Sequence, residues 1–164
     1  MSILPQSQAY NMFLPLISLI LLTCIHTAHA EENAGKARLQ VDSPWARASI
    51  GKSRPSAAYL TITNHRPEAV SLKSVSSPVA DKTEIHKMEN SDGVMRMKPV
   101  NDLTIAAGET VKLAPGGLHV MLMQLEETLE EGDRFELRLS FQDVETITLN
   151  VPVLGPGAMK PDRE

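Results

Sequence analysis

The sequence predicts an all-β domain, an antiparallel sandwich or Greek-key barrel, on three observations. Short apolar runs with strand-like alternation recur along the segment after residue 38. Clusters of Gly, Pro, Asn and Asp separate them at short intervals. Few stretches carry the 3.6-residue apolar rhythm of a helix. Many short strands at such spacing are the pattern of a sandwich or barrel.

In chain order, the expected strands are 45–50, 57–64, 70–76, 82–88, 94–100, 103–105, 110–113, 118–125, 134–141 and 146–153. Asn64-His65-Arg66-Pro67, Asn101-Asp102, Ala107-Gly108-Glu109 and Glu131-Gly132-Asp133 supply connections, because these residue types favour turns. Asn90-Ser91-Asp92-Gly93 is a hairpin signal, since Asp-Gly tolerates positive φ. Pro115-Gly116-Gly117 makes a sharp turn before 118–125.

Upstream, residues 12–24 are almost entirely apolar and too short for a comfortable membrane span. Ala28-His29-Ala30 follows as a small-x-small cleavage site, so 1–30 reads as a secretory signal peptide. The mature chain then starts near Glu31, with a domain over 31–154 and a disordered tail over 155–164. The first Lys or Arg is Lys36, an unusual poverty of charge for a leader. The alternatives are a retained leader or a Cys24-lipidated one. The expected location is the periplasm, with no stable membrane span after processing.

Cys24 is the only cysteine, and cleavage at Ala30 removes it. A blue-copper electron carrier needs a thiolate ligand, and a Cys-ligated zinc site needs several. Both are excluded for the mature domain. The net charge is −4 with no basic stripe, which gives nucleic-acid binding no electrostatic support. The acidic run Glu126-Glu127-Thr128-Leu129-Glu130-Glu131 reads as a solvated connection.

The chemistry concentrates between Glu84 and Leu125, where five methionines and two histidines occur. Neutral imidazole and thioether bind a metal near neutral pH without losing a proton, and together they suit a soft, low-charge cation. Cu(I) leads. In strands, alternate side chains share a face. His86 and Met88 therefore share one face, as do Met95 and Met97, and His119, Met121 and Met123. A four-residue loop sets His86 opposite Met97; a two-residue loop sets His86 opposite Pro99, with Met97 as its diagonal neighbour. Both place His86 and Met97 on one face. His65 lies in a turn away from this cluster and reads as a surface histidine, and Trp45 reads as core.

The spacing His86, ten residues, Met97, twenty-one residues, His119, one residue, Met121 resembles the H(M)X10MX21HXM pattern of the periplasmic PCuAC-type copper chaperones. Pro44-Trp45-Ala46-Arg47-Ala48, Ala57-Ala58-Tyr59-Leu60-Thr61-Ile62, Asp92-Gly93-Val94-Met95-Arg96-Met97, Leu113-Ala114-Pro115-Gly116-Gly117 and Val151-Pro152-Val153 resemble it too. The likeness covers roughly 39–153. It implies a cupredoxin-like β-sandwich that binds one Cu(I) through His86, Met97, His119 and Met121. It also implies delivery to the copper-site subunit of cytochrome oxidase or to other copper-delivery proteins. Met88 and Met123 are secondary ligand candidates, and Met95 reads as packing. Leu118 departs from the aromatic of many relatives, and Lys87 separates His86 from Met88.

Two other classes stay open. A metal-free interaction module would use the Met-rich face as an adaptable apolar surface. A mononuclear Zn(II) or Fe(II) enzyme would use His86, His119 and Glu84, which shares the face of His86. No G-x-S-x-G or H-E-x-x-H motif supports an enzyme, and none is expected.

Overall fold

Ten strands and no helix make up the described part of the chain, residues 38–91 and 93–160 of the computed structural model. The strands are β1 Leu39–Arg47, β2 Ser56–Asn64, β3 Val70–Ser76, β4 Ala80–Ser91, β5 Val94–Pro99, β6 Leu103–Ile105, β7 Thr110–Leu113, β8 Leu118–Leu125, β9 Arg134–Phe141 and β10 Ile147–Leu154. They pair in the order β5-β4-β8-β7-β2-β1-β10-β9-β3-β6, with a further β8–β2 pairing. The expected all-β architecture forms, and β3 and β6 to β9 keep their predicted bounds. The leader, Cys24, the cleavage site and residues 161–164 lie outside the described residues.

Each strand forms because its alternation fits the pleat. In β9, RFELRLSF, Phe135, Leu137, Leu139 and Phe141 are all buried between more exposed neighbours. β2 is buried at six of its nine positions, as befits a strand with neighbours on both sides. Ile62 and Leu122 from one half of the sheet, and Leu72, Leu137 and Val151 from the other, join one core cluster. Fully burying one such side chain contributes about 1.5–3 kcal/mol, so this core holds the scaffold together.

The structure corrects two expectations. The first strand begins at Leu39 rather than 45, because 39–42 ladder onto 61–64 of β2 and the turn-prone Ser43, at φ 48, is absorbed as an irregularity. The pairing is not purely antiparallel: β1 runs parallel to β10 through Ala46↔Val153, and β7 to β8 through Leu113↔Leu118. After β10, two hydrogen bonds involve Ala158. Arg47 Nε donates to the Ala158 carbonyl at 2.8 Å, and Ala158 N–H donates to Gly155 O at 3.0 Å. The half-buried arginine at the end of β1 thus contacts the start of the tail.

Asn64 closes one loop cluster from inside. It is fully buried, and its amide nitrogen donates to the carbonyls of Glu68, Ile105 and Ala106 at 2.8, 3.1 and 3.0 Å. Its Oδ1 accepts from the Arg66 N–H. Every polar group of the amide is engaged, as burial demands.

Candidate metal centre

The site arises where β5, β4 and β8 lie side by side. The β4–β5 hairpin takes the two-residue register: Ser91 pairs with Val94, Met88 with Met97 and His86 with Pro99. Gly93 sits at φ 81 and its N–H donates to Asn90 Oδ1 at 3.0 Å, which fixes that register. Met97 is consequently the diagonal neighbour of His86 on the same face. On the far side of β4, His86 pairs with His119 and Glu84 with Met121. Ile85, Val120 and Leu122 alternate with these residues and point into the core. Strand parity therefore gathers Glu84, His86, Met88, Met97, His119 and Met121 on one outward face.

The turn before β8 binds the two sides together. Gly116 takes φ 82, a conformation natural to glycine. The Gly117 carbonyl then accepts twice, from the Met88 N–H at 3.2 Å and from His119 Nδ1 at 3.0 Å. One backbone oxygen thus fixes both the ring of His119 and the strand carrying Met88.

The two imidazoles face each other across β4 and β8 with ring centres 6.0 Å apart. A metal–imidazole bond of about 2 Å puts an ion about 3.2 Å from each ring centre, so two rings at this separation can share one ion. His119 is 5% exposed. With its Nδ1 donating to a carbonyl, its Nε2 keeps the lone pair. His86 Nε2 lies 3.0 Å from Glu84 Oε2, and His86 Nδ1 is buried with no hydrogen-bond partner. Each ring thus has one nitrogen engaged and one available. Glu84 is held below the ordinary carboxylate range, first by its bond to His86 and then by Lys82.

Beside His119 opens a cleft of about 610 Å³, lined by Met88, Met97, His119 and Met121 together with Arg47, Tyr59, Pro115 and Met159; His86 is not among its lining residues. Three thioethers of the hairpin and β8 thus border one imidazole. Met97 is 52% exposed, so the cleft is open from the β5 side. Met123 has the expected parity but lies opposite Lys82 and does not line the cleft. Met95, opposite Asn90, is also off the cleft. The structure therefore separates the secondary candidates: Met88 lines the cleft and Met123 does not.

A carboxylate site fits less well. Glu84 has one oxygen on His86 and the other 3.0 Å from Lys82 Nζ. Among the described residues no three His, Cys, Asp or Glu side chains group as a metal site. His65 bonds Gln40 on the surface, and Trp45 is buried against the Tyr59 ring at 4.5 Å, as their surroundings in the sequence suggest.

Sequence reasoning missed Arg47, Tyr59 and Met159. Arg47 stands 5.6 Å over the Tyr59 ring, and its Nη2 lies 3.1 Å from Met159 Sδ. Pro156 and Met159 bring the tail to the cleft wall. The acidic run is also more than a solvated connection: Leu129 is 2% exposed, its carbonyl accepts from the Ser49 N–H, and its N–H donates to the Ser49 hydroxyl.

Comparison with known proteins places this geometry in context. The model of the LpqE-like lipoprotein family matches residues 39–153. An uncharacterized protein of Rickettsia prowazekii is 35% identical over 114 residues, 67% of this chain and 63% of that protein's length. The chain thus spans less than two thirds of that relative. A protein of Leifsonia xyli described as a lipoprotein is 30% identical over 132 residues, 79% of this chain and 78% of the relative. The apo PmoF2 PCuAC domain superposes with a TM-score of 0.63 at 23% identity, over 75% of this chain and 94% of that one, and shares the fold. The Cu(I) form of DR1885 from Deinococcus radiodurans superposes with a TM-score of 0.60 at 31% identity, over 76% and 85% of the two chains.

Proposed function

We propose, from the premise that the chain belongs to the LpqE-like family, that it is an exported copper chaperone. Its cargo is one Cu(I), held by His86, Met97, His119 and Met121, with Met88 beside them. The observation that carries this reading is the cross-strand pair His86–His119 set against thioethers on a single open face. The Cu(I) form of DR1885, 31% identical, supports the choice of metal.

The donor set suits the task chemically. Two neutral imidazoles supply firm bonds, and thioethers favour the softer, reduced ion. In an oxidising compartment thioethers hold Cu(I) without the disulfide formation that disables thiols. The site lies at a sheet surface, so the ion can be passed to another protein without unfolding the core. We take the periplasm as the compartment, and assembly of the copper site of respiratory cytochrome oxidase as the destination. No helix among the described residues is long and apolar enough to cross a membrane.

Titration of the processed domain with Cu(I) against a competing chelator tests the reading. One tightly held equivalent, with X-ray absorption showing both nitrogen and sulfur neighbours, is the expected result. A preference for Zn(II) with oxygen and nitrogen neighbours would point back to Glu84. No metal uptake at all would leave a Met-rich interaction surface.

A further inference from the structure

Glu84 and His86 are two residues apart on the same face of β4, and their side chains are bonded. Glu84 Oε2 lies 3.0 Å from His86 Nε2, while Oε1 lies 3.0 Å from Lys82 Nζ. An ionised carboxylate can only accept hydrogen bonds. His86 Nε2 must therefore carry the hydrogen and donate it. In a neutral imidazole the lone pair then sits on the other nitrogen, Nδ1. That atom is buried and has no partner among the described residues.

His119 is arranged the other way round. Its Nδ1 lies 3.0 Å from the Gly117 carbonyl, which likewise can only accept. The hydrogen is on Nδ1, and Nε2 carries the lone pair. The two rings are direct cross-strand partners with centres 6.0 Å apart, and the nitrogen left with the lone pair is Nδ1 on His86 and Nε2 on His119.

We infer that Glu84 is a positioning residue for copper: it holds His86 in the Nε2–H tautomer, so that Cu(I) is taken by Nδ1 of His86 and Nε2 of His119. The inference deepens the copper reading and rests on it. Glu84 acts through His86 and does not itself ligate, because both of its oxygens are engaged by His86 and Lys82. Ring orientation and tautomer are the properties that an outer hydrogen-bond partner of a ligating histidine controls. Glu84 is the cross-strand partner of Met121, so its carboxylate stands beside the site without entering the cleft lining.

Long-range 1H–15N NMR of the metal-free, 15N-labelled domain reads the tautomers directly. His86 should appear with hydrogen on Nε2 and His119 with hydrogen on Nδ1. On adding Cu(I), the resonances of His86 Nδ1 and His119 Nε2 should move as those atoms take the metal. Glu84→Ala should leave His86 a mixture of tautomers and weaken Cu(I) binding about 10–100-fold, the usual range for losing such a partner. Glu84→Gln keeps a carbonyl acceptor in place and should restore the tautomer and most of the affinity. A loss of packing alone would not show this selective rescue. An Nδ1–H form of His86 in the wild type, copper taken by His86 Nε2, or a Glu84→Ala variant unchanged in tautomer and affinity would each overturn the inference while leaving copper binding intact. Failure of the wild type to bind Cu(I) would overturn the copper reading and the inference together.

Discussion

His86 and His119 are direct partners across the β4–β8 ladder, with their ring centres 6.0 Å apart and their neighbours Ile85 and Val120 fixed in the core. The backbone, rather than a flexible loop, sets the distance between the two strongest proposed donors. His86→Ala and His119→Ala should each weaken Cu(I) binding well over tenfold, since loss of an outer partner alone costs about 10–100-fold. Chelator competition measures this, and an unchanged thermal transition checks that the fold persists.

The thioethers should grade by their place on the cleft. Met97→Ala and Met121→Ala should lose Cu(I) affinity, and Met88→Ala should lose less. Met95→Ala and Met123→Ala should leave it unchanged, because Met95 pairs with Asn90 and Met123 with Lys82, each further along its strand from the histidine pair. Wild-type affinity in both Met97→Ala and Met121→Ala would rule out thioether ligation.

Met123 shows what a sequence can and cannot reveal about this site. Alternation tells which face a side chain takes, and it assigned Met123 to the same face as Met121. It does not tell the height along the strand, and two residues are about 7 Å. The face shared by His86 and Met97 was legible because either even-numbered loop preserves it. The choice between loops depends on the Asn90–Gly93 hydrogen bond. Arg47 and Met159 are separated by 112 positions, so their meeting at the cleft leaves no local pattern to read. Asp42-Ser43-Pro44 carries turn chemistry, yet the ladder with β2 extends the first strand back to Leu39.

The metal-free domain should unfold cooperatively on heating. Its core, including Ile62, Leu72, Leu122 and Leu137, is complete without the metal face. Copper should then add stability by mass action alone, about 2.7 kcal/mol at a hundredfold excess over Kd. Calorimetry with and without Cu(I) measures both; an apo form with no transition would contradict a preformed scaffold.

Tyr59 should make the fold sensitive to alkali. Burial raises its phenol above the ordinary value of 10.0, with Arg47 opposing in part. The fold favours the neutral phenol, so this contribution is fully present below pH 10.0. It declines as pH rises from there through the higher folded value. Denaturant midpoints at increasing pH should fall more steeply for the wild type than for Tyr59→Phe.

Arg47→Ala should release the start of the tail. Both contacts that seat Ala158 and Met159 come from that one guanidinium. Amide exchange at 155–160 should accelerate, with exchange in β2 and β8 unchanged. Equal exchange in the two proteins would mean that the tail is held by other contacts.

Among the described residues β5 lies at the end of the strand order with β4 as its only neighbour, whereas β4 and β8 are flanked on both sides. Met97 therefore rides on an edge strand, and the two histidines and Met121 ride on strands held from both sides. On the copper reading this gives unloading a direction. Met97 would let go first, leaving the ion on three of the four proposed donors, and an acceptor would enter from the β5 side. The histidines would keep their hold until that acceptor engages the ion.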